Sequence, residues 1–423
     1  MQVHHPNPED VGRELRFPGH PPSSIMDDKN QLRPGQEAEA AAAGDEANSP
    51  RATGTTAWSR EPEALPSEWR QEISRLANEG GTVLLLGGSD VGKSSFCRAL
   101  IHKAISVGPK TAVVDADVGQ SSFGLPGTVT LVTYGSTASA PPAPGSAIPS
   151  YPPQGRTFFF VGAVSPRDCL MNHLVATVRA AQAAWEAGAE LTVVDTTGYV
   201  SAPEGALLKR AKIDAIRPDV VVALPHKNEL QSILGAYSGL TFPRVAILPP
   251  SPQASSRKRE TRRKTRQDRF REYFCHAKRF RLSLSQRVLL ADFPLEWQRH
   301  RPSLAQLCAK NLGYPVAFAT FCGDIPLVVT EVECTPTEVE SLIVSLKTKP
   351  RTYPCEQFQN CLVGLTDAAD DPIGVGLLAK IDWQNGCAEV LVPEGIDLAR
   401  THTLKLGRIR IDADGTELAP ANW

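Results

Sequence analysis

The sequence predicts an α/β core with a mainly parallel sheet, followed by a small mainly-β C-terminal domain. Three observations carry this. Short β-rich runs alternate with helical stretches from Thr82 to Leu248. A glycine-rich loop joins the first such run to the first long helix. After residue 281 the helical stretches give way to short strands punctuated by turns. Buried strands alternating with helices form a parallel sheet covered on both faces.

Residues 1 to 64 are rich in Pro, Gly, Ala, Glu and Asp and poor in aromatic and β-branched residues. Such a segment buries too little apolar surface to offset its ordering entropy, so it reads as a disordered tail. A helix is expected over Ser67–Asn78, ending at Gly80-Gly81. Strands are expected at Thr82–Leu86, Thr111–Asp115, Thr128–Thr133, Thr157–Val161, Leu191–Val194, Val220–Leu224 and Val245–Leu248. Helices are expected at Ser94–Ser106, Arg167–Ala187 and Gly205–Ile213. A Pro/Ser/Ala-rich insertion at 136–155 reads as an exposed loop. A basic stretch follows at 255–281 and closes the first domain, 65–281. Within 282–423, strands are expected at Val316–Phe321, Leu327–Val332, Cys361–Leu365, Val375–Ile381, Ala388–Val392 and Leu404–Ile411.

Composition excludes several classes. The chain of 423 residues is 41% apolar and 22% charged, with a net charge of −1. A protein basic overall is excluded, so any nucleic-acid-binding charge is local. The nine cysteines form no C-x-x-C pair, and reduced thiols in a reducing compartment are expected. No N-terminal apolar core or long apolar run points to secretion or a membrane. The expected location is cytoplasmic, or nuclear in a eukaryote.

The strongest motif is Gly87-Gly88-Ser89-Asp90-Val91-Gly92-Lys93-Ser94, followed by Ser95. It fits G-x-x-x-x-G-K-[ST] between a strand and a helix, the signature of a P-loop NTPase core. Backbone N–H groups of such a loop turn inward around phosphate oxygens, and the helix N-terminus adds positive dipole. Lys93 can reach the β- and γ-phosphates, and the Ser94 hydroxyl can ligate Mg²⁺. ATP and Mg²⁺ are therefore the expected ligands.

The second strand ends in Asp115-Ala116-Asp117-Val118-Gly119-Gln120. A carboxylate there lies at the edge of a parallel sheet where ligands bind. If the strand continued, Asp115 and Asp117 would share one side. One could accept the proton of an attacking hydroxyl while the other holds metal or water.

The phosphate loop followed at this spacing by Asp-x-Gly-Gln resembles the polynucleotide 5′-hydroxyl kinases, relatives of the pre-mRNA cleavage-complex kinase subunit and of ribosomal-RNA-processing kinases. Phe160 to Pro166 with Asn172 resembles that family's substrate clasp. Asp195-Thr196-Thr197-Gly198-Tyr199 resembles its next strand-end motif, and Arg257 to Phe274 its arginine-bearing lid. The resemblance implies that Lys93 and Ser94 hold triphosphate and magnesium and that Asp117 is the general base. It implies that Gln120 supports the site, Ser165 and Asn172 clasp the strand end, and Tyr199 stacks on the terminal base. Arg257 and Arg262 would close over the transferring phosphate. The implied partner is a nucleic acid with a 5′-hydroxyl end, RNA or DNA with RNA favoured; no membrane is expected and the sequence names no protein partner. Eukaryotic members carry a folded β-rich domain before the phosphate loop, where this chain has its polar tail.

Between Arg257 and Arg281 stand twelve Lys/Arg against three Asp/Glu, a local charge of +9 that leaves −10 for the rest. Such segregation concentrates positive potential, available to a transferring phosphoryl group and to strand phosphates. Two alternatives remain at this point. Asp195-x-x-Gly198 fits the γ-phosphate sensor of a GTPase-type switch, but His226-Lys227-Asn228-Glu229 lacks the Asn/Thr and the Asp that guanine reading needs. The other alternative is a non-catalytic ATP-binding scaffold in an RNA-processing complex.

Overall fold

The structure is a computed structural model that describes residues 65–135, 153–253 and 258–423. The expected tail (1–64), most of the expected loop at 136–155, and Arg257 lie outside the described residues. Among the described residues no helix is long and apolar enough to cross a membrane.

The first domain follows the predicted alternation. In chain order it runs α1 (Ser67–Glu79), β1 (Gly81–Leu86), α2 (Lys93–Val107), β2 (Thr111–Ala116), β3 (Thr128–Tyr134) and β4 (Gly155–Phe160). It continues with α3 (Leu170–Glu186), β5 (Leu191–Thr196), α4 (Pro203–Ile216), β6 (Val220–Ala223), the single-turn α5 (Gln231–Leu234) and β7 (Arg244–Ile247). The sheet order is β4-β3-β2-β5-β1-β6-β7. Strands β2, β5, β1, β6 and β7 are mutually parallel, and only β3 runs against its neighbours.

Strand alternation explains why nearly every strand residue is apolar. Val83, Leu85, Val113 and Val193 face one core with Ile73 of α1 and Phe96 and Leu100 of α2. Leu84, Leu86, Val114 and Val194 face the other with Ala180 and Ala184 of α3 and Ile213 of α4. A sheet covered on both faces leaves its strand ends as the place for polar chemistry. The chain leaves β1 at Gly87, β2 at Asp117 and β5 at Thr197, all at the same edge.

A long helix, α6 (Arg259–Phe274), leads out of this domain. The second begins with β8 (Lys278–Ser283), β9 (Val288–Leu290), β10 (Pro294–Glu296) and α7 (Pro302–Leu312). Then come β11 (Val316–Cys322), β12 (Ile325–Thr330), α8 (Pro336–Leu346), β13 (Arg351–Pro354), β14 (Cys361–Thr366), β15 (Pro372–Asp382), β16 (Cys387–Val392) and β17 (Thr403–Arg410). They form a seven-stranded sheet, β10-β9-β17-β14-β15-β16-β8, and a three-stranded sheet, β11-β12-β13, on which α7 and α8 pack.

Two expectations need correction. The sequence boundary at 281 gave residues 278–281 to the basic segment of the first domain. The structure pairs Lys278–Ser283 antiparallel with β16, as an edge strand of the second sheet. Its charges are spent there: Lys278, Arg279 and Arg281 pair with Glu394, Glu389 and Asp382. Long charged side chains are a usual way to protect a sheet edge. The second correction concerns α7 and α8, which the strand pattern did not anticipate; α8 opens with a reciprocal Thr335/Glu338 capping box.

Helix α6 ties the two domains together. Phe270 is fully buried in a cluster with Leu125 of the first domain and Leu362, Val375, Leu377 and Ile409 of the second. Arg266 forms a two-pronged pair with Glu417, and Gln267 Nε2 donates to Thr416 Oγ1 at 2.7 Å. Phe270→Ala should therefore cost about 3–5 kcal/mol, the usual penalty for emptying a buried phenyl site. Urea denaturation measures it; a loss under about 1 kcal/mol would mean the cluster is not a joint.

Candidate active site

The three loops at the sheet edge surround a cleft of about 220 Å³. The phosphate loop supplies Ser89, Asp90, Gly92, Lys93, Ser94 and Ser95 to its lining. The sequence explains the loop's shape at two close approaches. Gly92 has φ +101°, and a Cβ there would stand 2.7 Å from Ser251 Cβ. A Cβ on Gly198, after β5, would stand 2.4 Å from Ser89 N. Only glycine lets these backbones meet. Gly87, Gly88 and Val91 hold the loop from behind: a Cβ on Gly87 would strike Leu224 O and Val91 Cγ2 at 2.8 Å, and Gly88 N–H donates to Glu229 Oε1 at 3.0 Å.

Lys93 is buried, 6% exposed, and its ammonium donates to Gly88 O at 2.5 Å. Burial pushes its pKa below the ordinary lysine value, while Asp195, Asp117, Glu229 and Asp90 pull it back up. Ser94 Oγ donates to Asp195 Oδ2 at 2.7 Å. Asp195 is the next-to-last residue of β5, fully buried, and its Oδ1 has no hydrogen-bond partner among the described residues. Burial raises its pKa, opposed by Lys93 and Ser94. A buried carboxylate oxygen without a donor, beside a serine hydroxyl and a phosphate loop, suits a hard divalent cation. Mg²⁺ takes few protein oxygens and keeps water and phosphate as its other ligands. The residues present thus fit the metal, and Asp195 is a candidate that the sequence reading did not put forward for this role.

The two aspartates after β2 do different work. The strand ends at Ala116, so Asp115 and Asp117 do not share a face into the cleft. Asp115 is fully buried and accepts from Ser121 Oγ (2.8 Å), Ser122 N (2.7 Å) and Phe123 N (2.9 Å) on Oδ2, and from Asp117 N (3.1 Å) on Oδ1. It shapes the following loop and is not among the residues that line the cleft. Burial, with Asp195 beside it in register, pushes its pKa to about 7. Asp117 lines the cleft. Its Oδ1 accepts from Gly119 N (3.2 Å) and Gln120 N (3.0 Å) in an Asx-type turn, and Oδ2 accepts no hydrogen bond among the described residues. Gln120 lines the cleft too, with its Nε2 on Gly119 O at 2.6 Å.

The remaining expected substrate residues do not line the cleft. Ser165 precedes a 3-10 turn, and its carbonyl accepts from Asp168 N and Cys169 Sγ. Its neighbour Val164 abuts the Asp117 loop, since a Cβ on Gly119 would stand 2.7 Å from Val164 O. Asn172 is exposed on α3, because His173 takes the inward position. Tyr199 is half-buried against Gly205, at the start of α4. Ser165 and Tyr199 are thus chain neighbours of Val164, which abuts the Asp117 loop, and of Gly198, which lines the cleft, while none of the three expected residues lines it.

Helix α6 reaches the cleft through Arg262, whose Nη2 pairs with Asp90 Oδ2 at 2.5 Å. Arg262 Nε is buried without a hydrogen-bond partner among the described residues. The expected lid is here a strut, held to the phosphate loop by Arg262 and to the second domain by Phe270 and Glu417. Pairing with carboxylates spends much of the +9 charge, so the basic segment is not one continuous phosphate-binding surface.

Behind the Asp117 and Gly198 loops lies a buried basic group that sequence reading did not reach. Lys209 Nζ donates to Thr197 O at 2.5 Å, and Lys212 Nζ lies 2.8 Å from His173 Nε2, itself 2.8 Å from Ala116 O. Burial pushes Lys212 down to about 7 and Lys209 lower than an ordinary lysine. From α4 the two lysines brace the residues that immediately precede Asp117 and Gly198.

Comparison with known proteins agrees with this arrangement. Residues 87–276 match the family model of the mRNA cleavage and polyadenylation factor CLP1 P-loop. The chain is 30% identical over 338 residues to polyribonucleotide 5′-hydroxyl-kinase MJ1315 of Methanocaldococcus jannaschii, covering 79% of this chain and 88% of that one. It is 29% identical over 341 residues to polyribonucleotide 5′-hydroxyl-kinase PF0112 of Pyrococcus furiosus, covering 79% and 89%. The Xenopus tropicalis polyribonucleotide 5′-hydroxyl-kinase Clp1 is 30% identical over 214 residues, 49% of this chain and 47% of that one. The solved structure of wild-type Clp1p with Pcf11p shares the fold at a TM-score of 0.51 and 14% identity, covering 81% and 79%. The resemblance read from the phosphate loop and Asp-x-Gly-Gln is borne out: this chain belongs to the polyribonucleotide 5′-hydroxyl-kinase family with the CLP1-type P-loop.

Proposed function

We propose that this protein is an ATP-dependent polynucleotide 5′-hydroxyl kinase that passes the γ-phosphate of ATP to the 5′-hydroxyl end of RNA. The observation that carries this reading is one cleft lined by both Lys93 of a phosphate loop and Asp117, with Asp117 Oδ2 left unbonded among the described residues. A switch or motor that hydrolyses its nucleotide needs to orient water; a kinase needs a carboxylate beside space for an acceptor hydroxyl. The names of the relatives support RNA as the acceptor.

In this mechanism the backbone N–H groups of Ser89 to Ser95 cradle the phosphates. Ser94 and Asp195 would hold Mg²⁺, which would supply charge neutralisation to the transferring phosphate. Asp117 Oδ2 takes the proton of the 5′-hydroxyl as its oxygen bonds to the γ-phosphorus. The bond to the β,γ-bridging oxygen breaks, and ADP leaves with that electron pair. Lys93 and Arg262 hold positive charge against the phosphoryl oxygens, which is where most of such catalysis arises.

The deciding experiment incubates the full chain with γ-labelled ATP and matched 5′-hydroxyl RNA and DNA oligonucleotides. Label on the RNA 5′ end is expected. ATP binding without transfer would return the scaffold reading, and strict GTP dependence the switch reading. Arg262→Ala is expected to lower kcat by roughly 10²-fold while the KM for ATP moves less than about threefold. An equal rise in KM with kcat unchanged would make Arg262 a binding residue through Asp90 only.

A further inference from the structure

We propose that Arg98, Ser122 and Arg269 form a site for the first internucleotide phosphate of the acceptor, on the 3′ side of the nucleoside whose 5′-hydroxyl reacts. The inference rests on the kinase reading and names its substrate class more closely.

Two guanidinium groups from different elements converge on one residue of the cleft wall. Arg98 of α2 brings Nη2 to 3.5 Å from Ser122 Oγ, and Arg269 of α6 brings Nη2 to 3.5 Å from Ser122 O. Both contacts sit at the outer limit of hydrogen bonding and leave the donors weakly used. Arg262, Arg266 and Arg271 on α6 each hold a carboxylate. Arg98 and Arg269 have none within 4.0 Å among the described residues. Bringing like charges together without an acid costs energy unless an anion joins them.

The arrangement is fixed in advance. Ser122 cannot drift, because its own N–H, the Phe123 N–H and the Ser121 hydroxyl all donate to buried Asp115. Arg269 cannot swing away with its helix, because Phe270 beside it is buried and Arg266 holds Glu417. Arg98 lines the cleft and Arg269 meets the cleft wall at Ser122; donors fixed in place suit recognition of a ligand better than flexible surface cations do.

Position selects the anion. The triphosphate has its own partners in the phosphate loop, Lys93 and Arg262. Arg98 lies five residues beyond Lys93, about 7.5 Å farther along the α2 axis. It lines the same cleft as Asp117, and Ser122 belongs to the loop that Asp117 opens. A hydroxyl poised on Asp117 therefore carries its next phosphate, one nucleotide away, toward the two guanidinium groups. Planar guanidinium pairs phosphate oxygens in two-pronged fashion. The substrate class is a 5′-hydroxyl nucleotide bearing a 3′-phosphate, as monoester or diester, in preference to a free nucleoside.

The test titrates the full chain calorimetrically, without ATP, with adenosine, adenosine 3′-monophosphate and a 5′-hydroxyl oligoribonucleotide. Kinetics with γ-labelled ATP follow on the same acceptors. The 3′-monophosphate is expected to bind roughly 10- to 100-fold tighter than the nucleoside, an advantage that shrinks as salt rises. Arg98→Gln and Arg269→Gln should each remove most of it and raise the acceptor KM by roughly tenfold or more, with the ATP KM within about twofold. Arg98→Lys should restore part, a rescue that a merely structural role does not give. Thermal melts of each variant identify any loss through unfolding, and Arg98→Lys then carries the comparison. Equal binding of nucleoside and 3′-monophosphate, or variants that weaken ATP and acceptor alike, overturns the site. An arginine-dependent preference for the 3′-phosphate without transfer to any acceptor supports the site and rejects the kinase reading instead.

Discussion

Asp117→Asn is expected to lower kcat by roughly 10²- to 10⁴-fold, the range that a positioned general base contributes, while ATP affinity changes by less than about twofold. The reason lies in how the side chain is used. Oδ1 accepts from Gly119 N and Gln120 N, and an asparagine oxygen accepts the same two bonds. The turn should therefore survive. What changes is the second position, where a basic oxygen becomes an NH₂ group that cannot take the acceptor's proton. Nucleotide binding should be spared because the phosphate loop keeps Lys93, Ser94 and its backbone donors. Single-turnover transfer and ATP titration, measured on one preparation, separate the outcomes. An unchanged kcat would remove Asp117 from the chemistry, and lost ATP binding would make it a structural support of the nucleotide site.

Asp115 shows why sequence alone left that assignment open. Asp115 and Asp117 alternate symmetrically, and spacing gives no reason to prefer either. The decision comes from where the strand stops: Ala116 is its last residue, so Asp115 stays in the sheet and is claimed by three donors on one oxygen. Asp115→Ala would orphan those buried donors at about 1–3 kcal/mol each and release the Asp117 loop with them.

Legibility followed distance along the chain. The strand-loop-helix unit from Gly81 to Val107 was readable because its apolar run, glycines and Lys93-Ser94 are contiguous. The parallel sheet was readable because strands buried on both faces require unbroken runs such as Thr82–Leu86 and Val220–Ala223. The strut function of α6 was not, since its partner Glu417 stands 151 residues from Arg266 and carries no local signal. Asp195 was noticed as a motif, but its service to Ser94 depends on strand order, which places β5 beside both β1 and β2. Lys209 and Lys212 carry no local signal of their role; only the packing of α4 under the strand ends buries them.

Lys93→Met should give the other large effect, a fall in kcat of roughly 10³-fold, comparable to removing a preorganised donor from a transition state. Methionine nearly matches the lysine stem in length and helix propensity, so the apolar packing at the start of α2 should persist. The lost elements are the bond to Gly88 O and the positive charge facing Asp195 and Asp117. Replacing a buried charge by an apolar isostere is often close to neutral for the fold, although here it leaves Asp195 without its nearest cation. The melting temperature of the ligand-free protein should therefore change by only a few degrees. The rise in melting temperature that excess ATP·Mg²⁺ gives the wild type should largely vanish, because ligand stabilisation tracks affinity for the folded state. The two readouts separate catalysis from architecture. A variant that melts normally, keeps its ATP shift and still transfers phosphate would show that the phosphate-loop lysine is not what holds the transferring group.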